Sequence, residues 1–338
     1  MSLPPSEIPQ GAIRFNTDSQ KLEFYAQGEW WNMVTETTIN VSPRGLYMGG
    51  LQGSPTVYAN AIDYVNITTT GDAVDFGDLN RGAFGASATA SRTRALQGQA
   101  ESSSGVYSAQ VDYVEIATTG NALDFGDMSA AKRSGGANGN QVRGLFSGGQ
   151  PGSGPVANID YFTISSTGNY TSFGSLSPTL AEGFASGINS PTRGIVAGGG
   201  SSQDTQYVTF ASTGNAISIG NALTGGGQGA NCGVSSPVRG LFGGISTPGN
   251  NTNVIEFITI ASLGSFQDFG DLTAAKGPSL AGMCSPTRGL FGGGSPLGSY
   301  NTIDYVNIQS TGNATDFGNL NRNNVIAGGG TSNAHGGL

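Results

Sequence analysis

Apolar and polar positions recur along the chain in four kinds of short segment, always in the same order. The most regular is the run "IDYVNI" from Ile62. It returns as "VDYVEI" from Val111, "IDYFTI" from Ile159, "QYVTF" from Gln206, "IEFITI" from Ile255 and "IDYVNI" from Ile303. β-Branched and aromatic residues occupy both alternating faces, the pattern of strands covered on two sides. A turn follows each run, "TGD" or "TGN" in five copies and "LGS" at Leu263, where glycine supplies the positive φ of a tight hairpin. Next comes "VDFGDL" from Val74, repeated as "LDFGDM", "TSFGSL", "ISIGNA", "QDFGDL" and "TDFGNL". Ahead of the first run in each copy stands an arginine segment, such as "SPRGLYMGG" from Ser42 and "SPTRGLFGGG" from Ser285. A fourth strand is expected in the small-residue segments between copies, such as "GAFGASATA" from Gly82 and "RSGGANGN" from Arg133.

The arginines Arg44, Arg94, Arg143, Arg193, Arg239 and Arg288 mark the phase, with spacings of 50, 49, 50, 46 and 49 residues. Six copies at that period indicate a repeat architecture. The paired glycines Gly49-Gly50, Gly148-Gly149, Gly198-Gly199, Gly243-Gly244 and Gly292-Gly293, the strand after them and the period resemble kelch-type propellers. The tryptophan of kelch blades is missing, and Phe76, Phe125, Phe173, Phe269 and Phe317, with Ile219 in the fourth copy, take its place on the outer strand. The resemblance implies an all-β fold, a six-bladed kelch-like β-propeller over residues 42–338. Within each blade the small-residue strand is innermost, where strands crowd the centre, followed by the arginine, "IDYVNI" and "DFGDL" strands. The first copy has no small-residue strand of its own. Residues from about Asn324 to Gly330 are expected to supply it and so to close the ring.

Residues 1–41 belong to no copy. "GAIRFNTDSQKLEFYAQGEWWNMV" alternates as strands around two turns, "NTDSQ" and "AQGE", which predicts a small β-meander. Gly11, Ile13, Arg14, Phe15, Asn16, Thr17, Lys21, Leu22, Glu23, Tyr25 and Trp30 resemble a short module of tail-fibre and other structural proteins of tailed bacteriophages. That resemblance implies a virion protein, on the particle surface or tail, bound to other virion proteins through this module and forming a homotrimer. A meander this small cannot enclose Phe15, Phe24, Tyr25, Trp30 and Trp31 alone, so they either pack on the propeller or form the docking interface. The expected function is a tail-fibre or surface propeller that binds a host-surface glycan or protein. The alternative is a capsid decoration or a tail or baseplate component contacting only virion proteins.

Composition narrows the chemistry. Of 338 residues, 36% are hydrophobic and 57 are Gly, so tight turns and close-packed strands dominate. Charged residues make up 11% and the net charge is −8, which argues against nucleic-acid binding. No apolar run approaches membrane-spanning length, and "MSLPPSEIPQ" lacks the basic start and apolar middle of a signal peptide. Cys232 and Cys284 lie at offsets of opposite parity from their arginines and are expected to be free thiols. The single histidine, His335, offers nothing for a triad or zinc site and reads as a featureless tail residue. Asp75/Asp78, Asp124/Asp127 and Asp268/Asp271 recur with the blade motif, and so read as structural turns ahead of calcium ligands or a catalytic pair. No enzyme activity, cofactor or metal is expected.

The basic residues divide by position. The six repeat arginines fall on one side of the ring and are expected to bond neighbouring-blade carbonyls or the aspartates. Arg81, Lys132, Arg133, Lys276 and Arg322 fall between an outer strand and the next inner strand, on the other side. That side also carries the variable loops with Tyr58, Tyr107 and Tyr300, whose rings could stack on sugars. These eight residues form the candidate binding set.

Overall fold

The computed structural model describes residues 8–17, 21–32, 42–52, 57–177, 185–199, 203–223, 232–245, 250–277, 280–294, 301–322 and 325–338. The chain divides into two compact units, Met1–Val41 and Ser42–Leu338. Both are built of β-strands, and no helix occurs among the described residues.

The larger unit contains six four-stranded antiparallel sheets. Sheet 2 shows the common order: Ser87–Ala90, Arg94–Gly98, Gln110–Glu115 and Leu123–Asp127. Sheets 3, 4, 5 and 6 repeat it, beginning at Gly136, Ser186, Cys232 and Leu280. Sheet 1 differs in one strand. Arg44–Met48, Ala61–Asn66 and Val74–Asp78 are joined by Gly329–Ser332, in the register Gly329↔Met48 to Ser332↔Gly45. The sequence placed this closing strand a few residues early, because Val325–Ile326 pairs instead with Leu51–Gln52. Asn324 lies outside the described residues.

No single centre holds the core. The buried apolar side chains form six clusters, each drawn from two consecutive sheets. Leu96, Val111, Phe125 and Met128 of sheet 2 meet Phe146, Phe162 and Ile164 of sheet 3. The cluster joining sheet 6 to sheet 1 brings Leu290, Ile303 and Phe317 against Tyr47, Val65 and Ile67. The first strands follow the same succession, each against the next, and Gly329–Ser332 lies against both Leu280–Cys284 and Ser87–Ala90. On the outer strands, Phe76, Phe125, Phe173, Phe269 and Phe317 are buried and meet the third-strand aromatic of their own sheet edge to face.

The glycines record how closely the sheets approach. A Cβ at Gly144, Gly194, Gly240 or Gly289, directly after the arginine, would strike Thr89, Asn138, Ile188 or Val234 on the first strand of the preceding sheet. The "TG" turn has a role beyond a tight hairpin. Gly120 N donates to Phe76 O at 2.8 Å, and the Asn121 side chain accepts from Asp78 N at 3.0 Å, so the turn clips onto the outer strand of the sheet before it. The same clip joins Gly168 to Phe125, Gly214 to Phe173, Gly312 to Phe269 and Gly71 to Phe317. Gly77, Gly126, Gly270 and Gly318, with φ of 144–148°, leave room for the carbonyl of the turn glycine in the next sheet only because they lack a Cβ.

The smaller unit is a three-stranded antiparallel sheet of Ile13–Asn16, Lys21–Ala26 and Glu29–Asn32. Gln27 (φ 53°) and Gly28 (φ 86°) form the two-residue hairpin turn read from "AQGE". The "NTDSQ" turn falls partly outside the described residues. Cross-strand partners share a face. Ile13↔Phe24, Phe15↔Leu22 and Phe24↔Trp31 therefore place five apolar side chains on one face, while Arg14, Glu23, Tyr25 and Trp30 occupy the other. That second face is internally satisfied. Glu23 accepts from Arg14 Nε and Asn16 Nδ2, both at 2.8 Å, and these bonds, Asn16's first, hold its carboxyl below the usual range. Tyr25 is buried edge-on against Trp30 at 5.3 Å, and Arg14 sits 4.2 Å above the Trp30 ring. The five aromatic residues assigned to docking thus split. Phe15, Phe24 and Trp31 are exposed, whereas Tyr25 and Trp30 hold the meander together.

Candidate functional site

Each repeat arginine opens the second strand of its sheet and lies over that sheet's third-strand ring, with the guanidinium carbon 4.9–5.2 Å from the centroid. From there Nη1 reaches the following sheet. Arg44 donates to Ile116 O and Ala117 O at 2.9 Å, Arg193 to Ile260 O and Ala261 O at 3.2 and 2.6 Å, and Arg239 to Ile308 O and Gln309 O at 3.3 and 2.9 Å. Arg94 and Arg143 reach Ser165 O and Phe210 O. Arg288 of sheet 6 donates to Ile67 O and Thr68 O of sheet 1 at 3.1 and 2.9 Å. Of the two partners the sequence left open, backbone carbonyls are the recurring one. One guanidinium nitrogen bonds the carbonyls of the following sheet while the planar face of the group lies over an aromatic ring, a stacking that a lysine ammonium does not offer.

Four of the five basic residues assigned to the loop side are instead engaged in a second set of inter-sheet links, the two lysines fully buried and Arg81 and Arg322 largely so. Arg81 pairs with Asp112 at 3.0 Å, Lys132 with Asp160 at 3.1 Å, Lys276 with Asp304 at 3.1 Å and Arg322 with Asp63 at 2.9 Å. The Lys132 and Lys276 side chains are 0% exposed. Burial pulls both ammonium groups below the ordinary lysine value and the aspartates oppose it. In each pair the base follows an outer strand, and the acid is the Asp of "IDYVNI" or its equivalent in the next sheet. A cation committed to a buried carboxylate cannot also meet a ligand in solvent.

Three of the eight candidates do converge. Arg133 pairs with the buried Glu101, which also accepts from Tyr58 OH at 3.2 Å and Gly105 N at 2.7 Å. The Arg133 guanidinium lies 5.0 Å from the Phe84 ring and 5.7 Å from Tyr107, and Tyr58 meets Phe84 edge to face at 6.1 Å. Desolvation, then the Glu101 charge, raises the Tyr58 hydroxyl pKa. Tyr58, Phe84 and Tyr107 are half-buried, so the group presents aromatic edges around a fixed charge pair, contributed by the loops of sheets 1, 2 and 3. Phe84 and Glu101 were missed in the sequence because neither belongs to the repeat pattern. Tyr300 lies outside the described residues.

The centre offers little room. Ala88, Ala137, Gly187, Gly233, Gly282 and Gly330, one from the first strand of each sheet, line cavities of about 40 and 90 Å³. Spaces of that size hold a few waters and no sugar ring. His335 is not a featureless tail residue. It is buried in the lining of the smaller cavity, its Nε2 donates to Ala90 O at 2.7 Å, and its Nδ1 accepts from Gly337 N at 3.1 Å. Those bonds fix the neutral imidazole with its proton on Nε2. Desolvation lowers its pKa to about 4 from 6.5. The unfolded state therefore binds a proton first as pH falls. His335's contribution is fully present above pH 6.5 and is lost between there and about pH 4, a loss on the order of 3 kcal/mol. His335→Gln is expected to flatten that part of the stability profile relative to the parent protein, measured by urea unfolding across the window. Equal slopes for the two would show that the imidazole is not the group responsible.

Cys232 and Cys284 are free and buried, and desolvation raises both thiol pKa values, so neither is a ready nucleophile. Among the described residues, no three His, Cys, Asp or Glu side chains converge as a metal site would require. No described helix is long and apolar enough to cross a membrane. No protein-family model matches the chain, and the search of curated proteins returned no match.

Proposed function

We propose that the larger unit is a six-bladed kelch-like β-propeller and that the protein is a virion component of a tailed phage, a tail-fibre or surface protein that binds a host-surface glycan or protein. The propeller reading rests on the six inter-sheet clusters that return from sheet 6 to sheet 1. The virion reading rests on the N-terminal residues that resemble phage structural modules. Binding rests chiefly on one observation: Tyr58, Phe84 and Tyr107 gather around the Arg133–Glu101 pair on loops from three consecutive sheets. Aromatic edges beside fixed hydrogen-bonding groups suit a sugar ring, and a rigid repeat scaffold carrying variable loops suits recognition. No cofactor is needed.

The test is binding of the intact protein to host cells and to their isolated surface polysaccharide. Tyr107→Ala removes a half-buried ring whose side chain makes no inter-sheet hydrogen bond among those described, and is expected to weaken binding about tenfold or more while leaving the melting temperature nearly unchanged. No binding to any susceptible host surface would reject recognition. The exposed apolar face of the N-terminal sheet favours a second reading, a capsid decoration or tail or baseplate protein that contacts virion proteins alone. Its position on the particle, seen by electron cryomicroscopy, separates a distal fibre from a capsid lattice.

A further inference from the structure

The N-terminal sheet gathers five apolar side chains on one of its faces. Ile13, Phe15, Leu22, Phe24 and Trp31 stand together on one side and are 63, 59, 42, 37 and 50% exposed. Trp31 carries the only polar side-chain group among them, and its Nε1 donates to Ala26 O at 3.0 Å. Whatever covers this face need supply neither donor nor acceptor. Glu29, at the first position of its strand, is the ionisable residue of this face among the described residues and stands at its corner.

We infer that the face is covered by the same face of a second copy of this chain, two sheets packed face to face. The argument is one of matching. The larger unit exposes Val57, Val74, Val106, Leu123, Val142, Tyr170, Ile217 and Val238, spread over five sheets at one or two to a sheet. Among the described residues, the surface that matches the five-residue face in chemistry and extent is that face itself. Two copies juxtaposed bring aromatic and aliphatic groups together with no like charges at the centre, and each Glu29 stays at the rim. Face-to-face packing about 10 Å apart is the ordinary arrangement of two β-sheets with apolar inner surfaces. Phe24, on the middle strand and paired on both sides, lies at the centre of the contact.

Size sets the strength. Aromatic side chains bury roughly 150–250 Å² when fully covered, so five residues about half exposed contribute on the order of 500 Å² per copy. Two copies reach about 1,000 Å², the lower limit for a specific interface. The expected pair is therefore reversible and concentration-dependent. It holds whether or not the protein is a phage component.

Sedimentation equilibrium of the full chain tests this over roughly a hundredfold range of concentration spanning the micromolar region. The mass is expected to climb from 34.2 kDa toward twice that value, and acrylamide quenching of tryptophan emission to fall in step. Phe15→Glu places a carboxylate in the contact and is expected to remain at the monomer mass throughout. If that variant loses the meander's circular dichroism, Ile13→Glu, on the same edge strand and the most exposed of the five, decides in its place. A parent protein that stays monomeric at every concentration overturns the inference. So does a folded variant that associates as the parent does. A monomer whose tryptophans are already shielded overturns it in favour of cover by the same chain.

Discussion

Ending the chain at Gly328 is expected to abolish cooperative folding of the larger unit or to lower its melting temperature by about 10 °C or more. The deletion removes Gly329–Ser332 from sheet 1 and bares the backbone edge of Arg44–Met48, whose Leu46, Tyr47 and Met48 are buried in the intact protein. It also removes Asn333, whose side chain accepts from Arg44 N at 2.8 Å, and His335 with its bond to Ala90. An apolar strand edge left open is a template for aggregation, so turbidity is expected before unfolding is complete. Scanning calorimetry with light scattering provides the measurement. Gly330→Val is the point-mutant companion, because any Cβ there meets the backbone of Gly282 on the neighbouring strand. A truncated protein that melts within about 2 °C of the full chain would show that the closing strand contributes little.

Asp160→Ala is expected to cost about 3–5 kcal/mol, since it leaves the fully buried Lys132 ammonium without its counter-charge. The sign of the pH dependence follows from the lysine. Burial already lowers its folded pKa below the ordinary 10.5, and losing Asp160 lowers it further. The unfolded state then binds the extra proton, so the variant regains stability as pH rises toward 10.5. Replacing both partners, Lys132→Met with Asp160→Leu, is expected to restore much of the loss, because a well-packed apolar pair needs no desolvation of charge. Glu115→Ala is the control. Its partner Arg94 is 2.6 Å away, but the two side chains are 24 and 47% exposed, and about 1 kcal/mol or less is expected. Urea midpoints for the four proteins would rank these effects. A cost at Asp160 no larger than at Glu115 would mean that water reaches the buried pair.

The strands were legible because they are local. "IDYVNI" and "RGLFGGG" state their periodicity within six or seven residues, and six copies average out the exceptions. The roles of the bases were not legible because each partner lies in another copy: Arg81 and Asp112 are 31 residues apart, Lys132 and Asp160 are 28, and Arg322 reaches back to Asp63. A signal was nonetheless present. The connection after Thr171–Ser175 contains no base, and the third strand of the next sheet carries Gln206 where four other sheets carry Asp, with Gln206 accepting from Ser177 N at 2.8 Å. Base and acid are missing together there, although the correspondence is not general, since sheet 5 keeps the buried acid Glu256 after a connection, residues 222–231, that contains no base. The glycine of "RGL" was read only as part of a motif, although its cause is the side chain of the preceding sheet pressing on it. His335 was misjudged because composition cannot show that a glycine-rich segment enters the centre. The split among Phe15, Phe24, Tyr25, Trp30 and Trp31 was implicit in strand alternation, but it became definite only once the "AQGE" turn fixed the register.

Sheet 1 draws its strands from both extremes of the larger unit, and this sets an order of events during synthesis. At about 5–20 residues per second, the ribosome needs tens of seconds to make the roughly 280 residues between Met48 and Gly329. Throughout that time the Arg44–Met48 strand exists without its neighbour, while each later sheet can complete itself from some fifty contiguous residues. The nascent protein therefore accumulates finished sheets behind an unfinished first one, and residues 329–332 convert the assembly in one late step. Chaperone dependence should be concentrated in that interval, and it should end with the arrival of a four-residue strand made mostly of glycine and hydroxyl side chains.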